Sequence, residues 1–232
     1  EMVPPGKNAL CVEVTCTRGD ALWQADARQV FERCMPALES HGLLARCGAC
    51  VALAIDALAE AVAAAGFEPV LMDLPAHGRS AGWRCTMPQI VASLFAAQKH
   101  LGPATALVTH SMGAVGSLHA VSRGLSAQRM VVMAPSSSPA PVLSWFGEVF
   151  SLPAKLLARM RERIETAEGM VLEQFEPSWW APRLHTPVLV IHDRSDRMAP
   201  FANGQALAHA LPSAQLHVID GSSHRRMLSD PR

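Results

Sequence analysis

The sequence predicts an α/β protein: a mainly parallel, doubly wound sheet with helices on both faces and a helical insertion. Three observations carry this. From Phe67 onward, short apolar runs alternate with segments of helical period, the runs show no polar alternation, and glycine or proline stands at most of the junctions. A strand buried on both faces reads as a continuous apolar run because neither side of its pleat meets water, and helical crossovers supply the cover.

The totals agree. A chain of 232 residues fits one domain, 1–232, since single cores stop growing only near ~250–300 residues. Half the residues are apolar and 17% are charged, which excludes a disordered polyelectrolyte. Twenty Lys and Arg balance twenty Asp and Glu, so no net field holds a nucleic-acid backbone or an anionic membrane. Small-molecule partners are favoured and no nucleic acid is expected. The longest Ala-rich apolar stretch, 49–67, carries Asp56 and Glu60 and reads as a helix in water, so no membrane span is expected. The opening Glu1–Lys7 lacks the basic start and apolar run of a secretory signal, and a cytoplasmic location is the expectation.

In chain order, the first part, 1–51, is atypical. Five of the six cysteines lie in it: Cys11, Cys16, Cys34, Cys47 and Cys50. Cys11-x4-Cys16 with Cys47-x2-Cys50 has the donor type of a structural zinc, but the first pair is loosely spaced, and buried thiols without a metal are the favoured reading. With its cysteine excess and missing strand, 16–51 reads as heavily diverged or frameshifted. A regular rhythm then follows. Helices are predicted at 52–65, 87–101, 112–123 and 201–211, the first three with Gly66, Gly102 and Gly124 just past their ends. Strands are predicted at 69–73, 104–109, 129–134, 187–192 and 215–219. Between the third and fourth strands, 136–186 is too long for an ordinary crossover. Its Ser/Pro-rich start, apolar segment 143–150, charged helical segment 156–166 and Trp179-Trp180 make it a helical cap insertion, of the kind that serves as a lid.

Three loops carry chemistry. Leu107 to Ala114 runs from a strand into Ser111, a small-residue turn and a helix, the pattern of a nucleophile elbow. Gly113 meets the demand for a small neighbour; Thr109 stands where a glycine is usual. The alternative is a simple helix N-cap at Ser111. The strand at 187–192 ends in His192-Asp193-Arg194-Ser195-Asp196, where a carboxylate just past the strand can hold a histidine tautomer. Asp196 is the better candidate, with Asp193 closer to the strand and suited to closing the turn; either can instead form an Asx turn or cap ahead of Pro200. The last strand leads to Gly221-Ser222-Ser223-His224, and His224 can reach over the sheet edge as a base. His110, His119 and His192 are its rivals among ten histidines.

The order Ser, Asp, His, each after a parallel strand, resembles the α/β-hydrolase fold family over 67–232. Asp73-x-x-x-His77-Gly78-x-Ser80 is similar to the family's turn after an early strand, with His77 and Ser80 as turn residues. The His192-Asp193-x-x-Asp196-x-x-x-Pro200 and Gly221-x-x-His224-Arg225-Arg226 loops resemble those of small bacterial esterase or lipase-like members. The resemblance implies Ser111 as nucleophile, Asp196 as orienting acid and His224 as general base, acting on an ester-like bond of a small substrate. No metal or organic cofactor is implied.

It also implies an oxyanion hole from the Met112 N–H and, after Ser40-His41-Gly42, the Leu43 N–H. The stretch 31–39 ahead of that His-Gly, with Glu32, Arg33, Pro36 and Glu39, makes a poor buried strand. Peptide or amide hydrolysis, and a catalytically silent binding protein, are the alternatives. Trp145, Phe146, Phe150, Trp179 and Trp180 either line an acyl pocket or pack the insertion onto the sheet.

Overall fold

The computed structural model describes residues 8–13, 58–64, 67–77 and 80–228, the first of these as backbone alone. Six strands are present among them: β1 (Asn8–Glu13), β2 (Glu68–Met72), β3 (Ala104–His110), β4 (Ala127–Met133), β5 (Val188–Asp193) and β6 (Ala214–Ile219). They form one sheet in the order β2-β1-β3-β4-β5-β6, and every pairing is parallel. The doubly wound α/β architecture is therefore present, and β2 to β6 fall within two residues of the strands read from the sequence. Leu107, Val132 and Val190 of the three middle strands β3, β4 and β5 are fully buried, whereas Leu189 on β5 is 37% exposed, so burial on both faces is not uniform along the strands.

One strand departs from the sequence reading. The place between β2 and β3 is filled by Asn8–Glu13, a segment in which no strand is expected; the reading sought that strand just before His41-Gly42. Asn8-Ala-Leu-Cys-Val-Glu13 has only four apolar residues between polar ends, too short for a pattern to declare itself. Glu13 pairs with His110, so β1 ends one residue short of the level of Ser111. Residues 14–57, which include Leu43, and Gly66 lie outside the described residues.

Helix α1 (Met87–Leu101) begins at a capping box, in which the Thr86 N–H donates to Gln89 Oε1 at 2.9 Å, and it stops at Gly102, whose N–H donates to Gln98 O. Its Ile90 and Leu94 are fully buried. Helix α2 (Met112–Ser122) is buried over almost its whole length, Gly113 through Val121. A Cβ on Gly116 would lie 2.6 Å from Ile90 Cγ2, so glycine is what lets α1 and α2 approach this closely. Residues 58–64 are helical, within the predicted 52–65.

Between β4 and β5 lie α3 (Pro139–Val149), α4 (Ala154–Glu168), a 3₁₀ turn at Leu172–Phe175, the short α5 (Pro177–Trp180) and a second 3₁₀ turn at Ala181–Arg183. Phe175, Trp180 and Leu184 join the main core. Trp179 stacks on His119 of α2 at 5.0 Å between ring centroids, and Phe175 lies 4.6 Å from the same ring. Trp179 and Trp180 thus pack the segment onto α2. Trp145 and Phe150 are about 60% exposed. After β5 come α6 (Phe201–Ala210) and, beyond β6, α7 (Ser223–Arg226).

Candidate active site

The site lies at the carboxyl ends of β3, β5 and β6, where the crevice of an open parallel sheet forms. Strand β3 ends at His110 and α2 begins at Met112, leaving Ser111 alone to turn the chain. It does so at φ 54° and ψ −125°, a conformation a residue with a Cβ adopts only under strain. Its backbone is fixed on both sides: the Ser111 N–H donates to Met133 O at 3.0 Å, and the Ser136 N–H donates to Ser111 O at 3.3 Å. Thr109, in the position where glycine is usual, is buried and donates from Oγ1 to Val131 O at 3.1 Å. The larger residue is accommodated by tying β3 to β4.

The His224 ring stands between two partners. Its Nδ1 lies 2.7 Å from Asp196 Oδ2 and its Nε2 lies 3.0 Å from Ser111 Oγ. A carboxylate only accepts, so Nδ1 carries the proton, and Nε2 of the neutral ring is left to accept the serine proton. The three side chains named from the sequence therefore meet in one hydrogen-bonded chain, with Asp196 and His224 less than a tenth exposed.

Asp196 is held through its other oxygen as well. Oδ1 accepts the Met198 and Ala199 N–H groups at 2.8 and 2.9 Å. Burial alone would raise the Asp196 pKa; His192, His224 and the Ala199 N–H outweigh it and hold the carboxyl far below the usual carboxylate range. His192, fully buried, donates from Nε2 to Ala199 O at 3.0 Å and lies 3.6 Å from Asp196 Oδ2, so the same ring nitrogen faces both the loop carbonyl and the carboxylate.

The rival residues have other partners. His110 Nε2 donates to His224 O at 2.8 Å, with the two rings 4.6 Å apart, so it holds the backbone of the turn that carries His224. Neither His110 nor His192 is legible as a support in the sequence: His110 acts on a residue 114 positions away, and His192, only four residues before Asp196, acts through a turn that residue spacing alone does not reveal. His119 bonds Gln174 O through Nδ1 at 2.8 Å and stays under the 172–180 segment. Asp193 closes the turn with Ser195, whose N–H and Oγ–H both reach its Oδ1 at 2.6 Å. His77 Nδ1 bonds Pro75 O, and Ser80 Oγ donates to Asp73 O at 2.7 Å, both within their turn.

Met112 opens α2, where first-turn N–H groups have no carbonyl one turn back to bond and the helix dipole favours negative charge. Among the described residues no group of three or more His, Cys, Asp or Glu side chains could hold a metal. Cys16, Cys34, Cys47 and Cys50 lie outside them, and Cys11 is described as backbone alone. No described helix is long and apolar enough to cross a membrane.

Comparison with known proteins gives a consistent picture. Residues 40–173 match the family described as serine aminopeptidase, S33. A protein of Pseudomonas syringae named "Putative carbamate hydrolase RutD" is 38% identical over 60 residues, 26% of this chain and 23% of that protein. Its namesake in Stutzerimonas stutzeri is 29% identical over 98 residues, 35% of this chain and 37% of that protein. The matched part thus spans 23% to 37% of the length of these relatives.

Among solved structures, a monoacylglycerol lipase of Paleococcus ferrophilus superposes with a TM-score of 0.61 at 16% identity, over 100% of this chain and 90% of that one. An α/β-hydrolase from the metagenome of sediments of the Mar Chica lagoon, Morocco, gives 0.60 at 16% identity, over 98% and 86%. At such identities the likeness concerns the fold.

Proposed function

Because this chain belongs to the serine aminopeptidase S33 family of α/β-hydrolases, we propose that it is a hydrolase that opens an ester-like bond of a small substrate through an acyl-enzyme on Ser111. The observation that carries the reading is the pair of contacts on one imidazole, 2.7 Å to Asp196 and 3.0 Å to Ser111. Ser111 Oγ attacks the carbonyl carbon as its proton passes to His224 Nε2. Asp196 keeps its charge and stabilises the imidazolium.

The tetrahedral oxyanion is held by the Met112 N–H, with the Leu43 N–H as the proposed second donor. Collapse releases the leaving alcohol, which takes the proton from His224. Water then repeats the sequence and frees the acid. The chemistry uses no metal or organic cofactor. The stretch 136–186 is read as a cap within a single domain 1–232, bordering the site through its packing on α2.

A second reading, cleavage of an amide or carbamate bond, is favoured by the names of the family and of the RutD relatives. Hydrolysis of p-nitrophenyl acyl esters, measured beside the matching p-nitroanilides and aryl carbamates, separates the two. Faster ester turnover, lost in Ser111→Ala, supports the ester reading; turnover only of the anilide or carbamate replaces it. No turnover of any by a folded chain points to a silent binding protein.

A further inference from the structure

The geometry points to Asp193 as a positioning residue for His224, a role that rests on the proposed function. Asp193 is the last residue of β5 and fully buried. Besides the turn with Ser195, its second oxygen accepts two consecutive backbone N–H groups from the base loop, those of Ser222 at 2.5 Å and Ser223 at 2.8 Å. These are the two residues immediately before His224.

Their conformation explains why both N–H groups face one oxygen. Ser222 has φ −84° and ψ −25°, in the right-handed region, and Ser223 has φ 60°. A right-handed residue followed by one of positive φ turns successive N–H groups into a concave nest that binds an anion. A positive φ at a residue with a Cβ is strained, and the nest is kept by the carboxylate seated in it. Burial alone would raise the Asp193 pKa. The hydroxyl and N–H of Ser195 and the N–H groups of Ser223 and Ser222 outweigh it, so the carboxyl titrates below its usual range and the nest holds an anion.

Three anchors therefore fix the base. Asp196 holds the ring at Nδ1, His110 holds the carbonyl, and Asp193 holds the two preceding amides. Gly221, the second residue after β6, has φ 79°, so the entry into the loop is itself permissive and the carboxylate supplies the constraint. Without that constraint the nest relaxes, the ring moves relative to Ser111, and the catalytic rate falls while substrate affinity stays.

The test compares the unaltered chain with Asp193→Asn, Ser222→Pro and the double variant. Asn cannot present an acceptor to both Ser195 and the nest. Pro suits the φ of Ser222 and deletes one nest donor, which keeps the test alive if Asp193→Asn does not fold. Three quantities are read: kcat and KM on the best substrate, fluorophosphonate labelling rate, and the NMR resonance of the His224 Nδ1 proton. The expected result is a kcat lower by about 10- to 100-fold with KM little changed, a shifted and faster-exchanging Nδ1 proton, and a double variant no slower than the worse single one.

A folded Asp193→Asn chain with unaltered kcat and an unmoved Nδ1 resonance overturns the proposal. So does a loss of thermal stability with neither change. If the unaltered chain takes up no probe and turns over no substrate, the serine-hydrolase reading fails, and the resonance alone decides whether Asp193 positions His224.

Discussion

Gly204 of α6 lies against His192 so closely that a Cβ built on it would come within 2.5 Å of His192 Nδ1 and 3.1 Å of its Cβ and Cγ. The missing methyl is what allows an imidazole to stand fully buried behind Asp196, with its Nε2 aimed at Ala199 O and the carboxylate. Substituting Gly204→Ala is expected to push His192 off its place, destabilising the fold by about 1–3 kcal/mol. It is also expected to slow turnover per folded molecule, because the acid loop moves with the ring. Chemical unfolding and active-site titration separate the two effects.

Ser111 itself carries strain, at φ 54°. Glycine adopts positive φ without the Cβ penalty, so Ser111→Gly is expected to raise the unfolding free energy by about 1 kcal/mol while abolishing activity. Denaturant midpoints of the two chains check it. A lower midpoint for the glycine variant would mean that the serine turn is not strained.

Asp196 gives an acid limb. Its folded pKa is depressed, so its contribution to stability is complete above the ordinary carboxylate value of ~3.9 and is lost as pH falls below it toward the folded value. Stability of the unaltered chain should fall on acidification below about pH 4. Asp196→Asn should be less stable at neutral pH and lose that part of the slope. Unfolding curves between neutral pH and pH 3 measure both.

His119 gives a second limb at milder pH. Burial lowers its pKa, opposed by the bond to Gln174 O and reinforced by Arg123. With the folded value below the unfolded ~6.5, stability is complete above that pH and declines as pH falls through the folded value. His119→Phe keeps a ring against Phe175 and Trp179 and should remove the decline. Thermal unfolding at pH 5.5 and pH 8 decides it.

The sheet was legible because its strands are short apolar runs bounded by turn residues and alternating with helical segments, as at Val188-Leu189-Val190-Ile191, although Leu189 itself is exposed. Ser111, Asp196 and His224 could be named because each follows such a run, and the sequence order of the runs is the order of the loops. What stayed hidden depends on contacts between distant segments. Strand β1 is too short to show a pattern, and it lies among cysteines that suggested another chemistry. The roles of Asp193 and His110 arise from two strand ends and a loop meeting in space, separated by 29 residues for Asp193 and Ser222 and 114 for His110 and His224, while that of His192 depends on how the acid loop folds back over four residues to Asp196. Of the two readings of the insertion's aromatics, packing fits Trp179, which stacks on His119 of α2, and Trp180, which is buried with its Nε1–H on Phe175 O.

Labelling of purified protein with a fluorophosphonate probe tests whether His224 activates Ser111 as a nucleophile. The unaltered chain is compared with Ser111→Ala and His224→Ala. Stoichiometric labelling of the unaltered chain is expected, none in Ser111→Ala, and a loss in His224→Ala by orders of magnitude. Labelling that survives in Ser111→Ala, or its absence from a folded unaltered chain, would contradict that activation.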